Sequence, residues 1–196
     1  KVLDAEGHTT SYTYSAALKT SETDPLNRTT TYGYDANNRQ ISITDPAGGV
    51  VRFEYDNSGN RTSLTDPVGN VTRFVYDRNN RLVQQMDPLN HSSAFAYDAA
   101  GNRIEAIDRN GRRRTFVYDA LNRRTSELWW AGGSVIRTLD YTFNAQGAMT
   151  GAADSASTLA FSFDALNRLT QAVQSGVAGL QDFTLTYAYD GLANVV

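Results

Sequence analysis

The seventeen residues from Phe53 to Gly69, FEYDNSGNRTSLTDPVG, decide how this sequence is read. Phe53 and Tyr55 stand two apart, which places them on one face of a β-strand but on nearly opposite sides of a helix. The polar run Asp56-Asn57-Ser58-Gly59-Asn60 then reads as a turn, and Arg61 to Thr65 as a returning strand. Asp66-Pro67-Val68-Gly69 closes the unit with a second turn, in which Pro presets φ and Gly accepts a positive φ. Two strands of about seven residues, each about 23 Å long, and two short turns make a hairpin repeat of about 21 residues.

Working outward, the same aromatic pair recurs at Tyr12/Tyr14, Tyr32/Tyr34, Phe74/Tyr76, Phe95/Tyr97, Phe116/Tyr118, Tyr141/Phe143, Phe161/Phe163 and Tyr187/Tyr189. With Phe53/Tyr55 these nine pairs take 18 of the 19 Phe and Tyr residues, so the aromatic content belongs to one structural slot. Asp4, Asp24, Asp45, Asp66, Asp87 and Asp108 each precede the second aromatic by ten residues, and all four prolines follow one of them, at Pro25, Pro46, Pro67 and Pro88. The expected fold is all-β, a repetitive antiparallel β-hairpin meander whose aromatic pairs form a cross-strand ladder. The Asn-Arg pair after each Tyr ends alternately five and six residues on, at Arg39, Arg61, Arg81, Arg103 and Arg123. A one-residue slip changes the face on which a side chain points, so two alternating turn lengths are expected.

Composition narrows the function. The 196 residues are 40% apolar and 20% charged, as in a folded chain, and the net charge of −3 offers no electrostatic ground for a nucleic-acid partner. No apolar run approaches the length of a membrane helix, so membrane insertion by this segment is not expected. Without cysteine there is no disulfide, thiolate metal site or Cys nucleophile. The chain opens on Lys1 and stops in mid-pattern after Asn194, so a piece of a larger protein is expected.

The recurring carboxylates invite a catalytic reading, but an acid/base pair needs two differently tuned groups in one cleft, whereas these occupy equivalent places in successive repeats. They read as turn-forming groups, with the Asn-Arg pair supplying donors that reach an Asp in the adjacent repeat. A calcium site wants several oxygens converging in one loop, and each turn offers one or two carboxylates. His8 and His91 stand alone in turn regions, with no recurring partner for zinc. No catalytic, cofactor or metal site is expected, and no nucleophile elbow is present. Two spots break the pattern as candidate contact sites: Arg112, Arg113 and Arg114 beside the Asn110-Gly111 turn, and Trp129-Trp130, whose alternation exposes at least one indole.

The segments Tyr34-Asp35-Ala36-Asn37-Asn38-Arg39, Tyr55-Asp56-Asn57-Ser58-Gly59-Asn60-Arg61, Tyr97-Asp98-Ala99-Ala100-Gly101-Asn102-Arg103 and Tyr118-Asp119-Ala120-Leu121-Asn122-Arg123 resemble the Tyr-Asp, or Rhs, repeat. The resemblance covers nearly the whole chain, from about Asp4 to Asn194, and implies one array over 1–196 of about nine hairpins, more regular over 4–123 and divergent over 124–196, where Asn144 and Phe163 replace the signature residues. Its repeat-defining residues would be Tyr34, Asp35, Arg39, Tyr55, Asp56, Arg61, Tyr76, Asp77, Arg81, Tyr97, Asp98, Arg103, Tyr118, Asp119 and Arg123. In that family such arrays wind as a spiralling ribbon into a hollow shell, as in bacterial Rhs and Tc-type toxins and in teneurins. The resemblance implies a structural shell segment of a secreted bacterial polymorphic-toxin-type protein, not an enzyme. Its partners would be the rest of its own shell and an enclosed C-terminal toxin or other cargo. The alternative is a cell-surface module that binds carbohydrate or protein. Open strand edges would let the isolated piece self-associate.

Overall fold

The computed structural model describes residues 1–196 as two compact units, Lys1–Ser93 and Ala94–Val196, built from antiparallel strands and turns without a helix. The first unit carries β1 (Val2–Leu3), β2 (Thr9–Ser15), β3 (Leu18–Thr23), β4 (Thr29–Tyr34), β5 (Gln40–Thr44), β6 (Val50–Tyr55), β7 (Arg61–Thr65), β8 (Val71–Tyr76) and β9 (Leu82–Met86). Each of these pairs with the next in sequence. The second unit repeats the scheme with β10 (Ser92–Tyr97), β11 (Arg103–Ile107), β12 (Arg113–Tyr118), β13 (Arg124–Ala131), β14 (Ser134–Phe143), β15 (Met149–Ala153), β16 (Thr158–Phe163), β17 (Leu169–Ser175) and β18 (Phe183–Thr186).

The turns overturn the expectation of two alternating lengths. At Asp35–Arg39 the Asp35 N–H donates to the Arg39 carbonyl at 2.9 Å, and the Asn38 N–H to the Asp35 carbonyl at 3.0 Å. Asp56–Asn60 makes the same two bonds at 2.9 and 3.1 Å, and so does the Asp-Pro turn Asp66–Asn70, at 3.0 Å each. One five-residue turn thus serves both ends of the hairpins, and its fourth residue takes a positive φ, as Gly59 at 88° or Asn38 at 62°. The Asn-Arg slip changes the residue that closes the turn, not the turn.

A bulge provides the other half of that correction. Tyr55 faces Arg61 while Glu54 faces Ser63, so Thr62 is extra; the same shift occurs at Tyr34, Tyr76, Tyr97 and Tyr118. The extra residues, Ile41, Thr62, Val83, Ile104 and Thr125, are all β-branched and suit the extended backbone. Val83 at this place explains why the segment from Leu82 to Met86 does not alternate.

The aromatic ladder is a half-covered face, not a closed core. Phe116, at 5% exposure, and Ala106 are the only buried apolar residues, and every other ladder ring is half-buried except exposed Tyr14. The residues between the paired aromatics, such as Val75 and Val117, point to the other face and are exposed.

Candidate functional site

The chemical unit of this protein is its turn. The Asp35 Oδ1 accepts the N–H groups of Asn37 and Arg39, each at 2.9 Å, while Oδ2 takes the Arg39 Nε at 2.7 Å. Asp56 does the same with the N–H groups of Ser58 and Asn60 at 2.9 Å, and its Oδ2 takes the Asn60 Nδ2 at 2.9 Å. Asp77 and Asp119 repeat the arginine version, and Asp98 the asparagine version. These bonds favour the ionised acid. The carboxyls of Asp35 and Asp119 lie below the usual range chiefly through the backbone N–H of the closing residue. Those of Asp56, Asp98 and Asp77 lie below it chiefly through the closing side chain, Asn60, Asn102 and Arg81. Both oxygens are therefore engaged in the turn, which is a structural use of the carboxylate and leaves little of it for proton transfer.

The closing residue also ties one turn to the next. The Arg39 Nη1 donates to the Asp56 carbonyl at 2.8 Å, and the Arg123 Nη1 to the Asn144 carbonyl at 2.9 Å. The Asn60 Nδ2 reaches the Asn80 Oδ1 at 2.8 Å, and the Asn102 Nδ2 reaches the Asn122 Oδ1 at the same distance. The expected donors thus do reach the adjacent repeat, but they meet a carbonyl or an amide and not its carboxylate.

The tyrosine provides a second tie. The Tyr55 hydroxyl donates to the Gln40 carbonyl at 2.8 Å, Tyr34 to Lys19 at 2.9 Å and Tyr118 to Arg103 at 3.0 Å. Each accepting carbonyl belongs to the residue just before the bulge of the preceding hairpin, where the regular ladder of backbone bonds is broken.

Arginine follows the slip. When arginine closes the turn it covers the next second-position ring, as Arg39 covers Tyr55 at 4.9 Å. When asparagine closes the turn, the arginine moves one residue on, faces the Tyr, and lies between two first-position rings. Arg61 is 5.6 Å from Phe53 and 5.2 Å from Phe74, and Arg103 is 5.6 Å from Phe95 and 5.4 Å from Phe116.

The irregular cluster sits on β12, β13 and β14. Trp129 lies between Arg114 and Arg137, at 5.6 and 5.8 Å, and its Nε1 donates to the Glu127 Oε1 at 2.9 Å. Glu127, buried at 7% exposure, also meets Arg114 at 3.4 Å and Arg124 at 3.0 Å. Trp130 donates from Nε1 to the Thr115 Oγ1 at 2.9 Å and lies 4.7 Å from Arg113, which pairs with Glu105 at 2.8 Å. Only Trp129 counts as exposed, at 36%, and Trp130 is half-buried.

The two histidines are not the solitary side chains expected from sequence. Their Nδ1 atoms stand 3.0 and 3.2 Å from the Oδ2 of Asp4 and Asp87, in the closing place that arginine or asparagine takes elsewhere. Asp4, Glu6 and His8 bring three potential ligand atoms within 4.8 Å, but on an exposed turn whose Asp4 oxygens already serve Glu6 and His8.

The Rhs repeat profile matches residues 20–50, 34–72, 76–113 and 97–128, more than half of the sequence. The chain belongs to the Rhs repeat family. None of the curated proteins matches it significantly. Among solved structures it is similar to TcdB2-TccC3-TEV, with a TM-score of 0.77 and 15% identity over 95% of this chain and 11% of that one. TcdB2-TccC3 gives a TM-score of 0.69 at 14% identity, covering 95% of this chain and 12% of that one. The Photorhabdus luminescens Tc holotoxin pore gives 0.61 at 14% identity, over 98% and 13%. The Rhs chain described here spans little more than a tenth of the length of each.

The sequence-predicted Rhs residues therefore occupy three stations: Tyr34, Tyr55 and Tyr118 on a neighbouring carbonyl, the aspartates in turn clamps, and the arginines at a turn or between rings. Arg112, Arg113, Arg114, Trp129 and Trp130 gather around one hollow in the second unit. Sequence reasoning missed Asn60, Asn80, Asn102 and Asn122 as lateral links between Rhs turns. It also missed Glu127, which anchors the arginine and indole cluster from beneath. The alternating Asn-Arg spacing carried the signal for the amides; nothing in the sequence marked Glu127.

Proposed function

We propose that this Rhs segment is a wall element, one continuous array of about nine hairpins within a hollow shell that encloses a C-terminal toxin or similar cargo. The observation that carries this reading is the lateral tie. Bonds such as Arg39 to the Asp56 carbonyl and Tyr55 to the Gln40 carbonyl join each hairpin to its neighbour, so the interactions build an extended surface and not an isolated cleft. Likeness of fold to the Tc toxin structures supports the same reading. Its partners are then the rest of its own polypeptide and the cargo, in a secreted bacterial toxin, and the segment itself performs no catalysis. Isolated from that wall, it self-associates through strand edges.

Limited proteolysis of the full-length protein tests the reading. The C-terminal domain should resist protease in the intact protein and become cleavable when the wall is weakened by Phe116→Ala. Equal cleavage in both would overturn containment. The alternative reading, recognition of a surface carbohydrate, is favoured by one feature, the arginine and tryptophan hollow.

A further inference from the structure

Arginine has two stations on the ladder, and the residue that closes the turn decides which is filled. Arg39, Arg123 and Arg168 close their turns and lie over the next second-position ring, Tyr55, Phe143 and Tyr189, at 4.9, 4.9 and 4.5 Å. Arg61 and Arg103 follow a closing asparagine and lie between two first-position rings. After Asn144 the chain fills neither station. Ala148 closes that turn with its N–H, as Arg39 closes its own. Met149 faces Phe143 just before the Thr150 bulge, as Arg61 faces Tyr55 just before the Thr62 bulge. Met149 therefore holds the Arg61 place, between the first-position rings Tyr141 and Phe161.

A hollow of about 600 Å³ opens at that place on the ladder face, lined by Tyr141, Met149, Ala152, Leu159, Phe161 and Phe163, and no charged side chain lines it. Ala152 faces Tyr141 on one side and Leu159 on the other and is too small to fill the floor. Met149 and Leu159 are exposed, and the two phenylalanine rings are half-buried. Arg124 covers Tyr141 from the side of Phe116, at 5.1 Å, so no cation of this chain reaches Phe161 or Phe163. The face of an aromatic ring carries negative charge, which attracts a flat guanidinium, while the arginine stem covers apolar surface. Arg61 and Arg103 hold this station on rings alone, without an ion pair, so a carboxylate is not needed there.

We propose that the hollow seats an arginine side chain presented by another polypeptide, with the guanidinium against Tyr141 and Phe161 and the stem along Met149 and Leu159. The station that the chain fills for itself at Arg61 and Arg103 is then filled from outside at this one place. The proposal does not depend on containment, since the site is complete within the second unit and its test reads binding, not protease access.

The chain supplies its own reporter, because Met86 and Met149 are its only methionines. With both methyl groups labelled, titration with acetyl-Gly-Arg-Gly-amide should shift the Met149 resonance saturably and leave that of Met86, in the first unit, unmoved. The same peptide with citrulline, which keeps the shape and removes the charge, should bind at least fivefold more weakly. Phe161→Leu keeps the lining apolar but removes a ring, and should weaken the arginine peptide at least threefold. Met149→Arg fills the station from within and should abolish binding, read by saturation-transfer NMR of the peptide protons. Equal binding of the citrulline peptide, or tighter binding of a leucine peptide, would overturn the proposal and leave a purely apolar seat. So would unchanged binding in both variants, silence at Met149, or a Met149 shift that follows protein concentration without peptide, which would give the hollow to a second copy of the chain.

Discussion

The repeats of β4 to β8 and those of β14 to β17 use the same bulge and, except at the four-residue Asp154–Ser157 turn, the same turn, but differ in how the hairpins are tied. In the first region Tyr34 and Tyr55 place a hydroxyl on a preceding carbonyl, and Arg39 and Asn60 both close their own turn and reach the next. In the second, Phe143 and Phe163 occupy the tyrosine places and have no hydroxyl to give. Ala148 closes the Asn144 turn with its N–H alone, and the lateral bond is made by the Asn144 side chain itself, to the Asn167 Oδ1 at 2.8 Å. Its faces are thinly filled by Gly151, Ala152 and Ala160. Turn and bulge therefore define the hairpin, while tyrosine, arginine and asparagine set how firmly one hairpin holds the next.

Acid acts on all the clamps of a region at once and should reverse the standing of the two regions. A carboxyl whose pKa is lowered by folding lends stability that is present above its unfolded value, near 4, and is lost as pH falls through its folded value. Asp35, Asp56 and Asp66 all lie below the usual range, so the first region loses three clamps together. In the second, Asp164 is lowered in the same way through the Arg168 N–H and its clamp is lost too, but Asn144 does not titrate, and Asp154, with the Ala156 N–H and the Arg137 guanidinium upon it, is held down to about 2. Hydrogen exchange should show β14 to β17 opening first at neutral pH and β4 to β8 opening first near pH 3. The same order at both values would separate turn chemistry from regional stability.

Ring burial gives the largest effect of a single substitution. Phe116→Ala removes the one buried ladder ring and should cost about 3–5 kcal/mol in urea unfolding, whereas Phe161→Ala, at a half-buried ring in the divergent region, should cost clearly less. Equal losses would mean that local burial does not govern the ladder and would count against a stack stabilised by nearest neighbours.

How much of this the sequence discloses depends on the kind of contact. The ladder is legible because a period of two in Phe53 and Tyr55 can only be a strand, and the Asp clamp because Asp, Gly and Asn have known turn roles. The identity of the regular turns is hidden, since Arg39 and Asn60 are chemically unlike yet deliver a donor to the same Oδ2 place. The bulge is hidden because Thr62 and Val83 are ordinary strand residues. The hollow beside Trp129 is half legible: its arginines and indoles stand out in the sequence, but Ile136 enters it only because the register slips between Trp129 and Trp130.

A smaller effect isolates the tyrosine tie. Tyr55→Phe deletes the bond to the Gln40 carbonyl and should cost about 0.5–1.5 kcal/mol. The reverse change, Phe143→Tyr, offers a hydroxyl where the repeat pattern sets the Arg124 carbonyl, the residue facing Tyr118 just before the Thr125 bulge. It should raise the unfolding midpoint of the divergent region. A gain at 143 without a loss at 55, or the converse, would show that the two regions do not share one geometry at this place.

The smallest expected effect is that of Asp56→Asn, a conservative change at the clamp itself. Asn144 shows that an amide oxygen can do part of the work of the carboxylate, since its Oδ1 accepts the Ala148 N–H at 2.9 Å. Asp56→Asn should therefore keep the bonds from the Ser58 and Asn60 N–H groups through its amide oxygen, while the bond from the Asn60 Nδ2 is lost because the second oxygen has become a donor. Asp56→Ala loses all three. Urea midpoints should fall slightly for the asparagine variant and further for the alanine variant, and hydrogen exchange at neutral pH should place the loss in β6 and β7. If the asparagine variant is as weak as the alanine one, charge and not hydrogen-bond geometry holds the turn. The Asn144 turn would then be stable for a reason of its own, the side-chain bond it makes to Asn167.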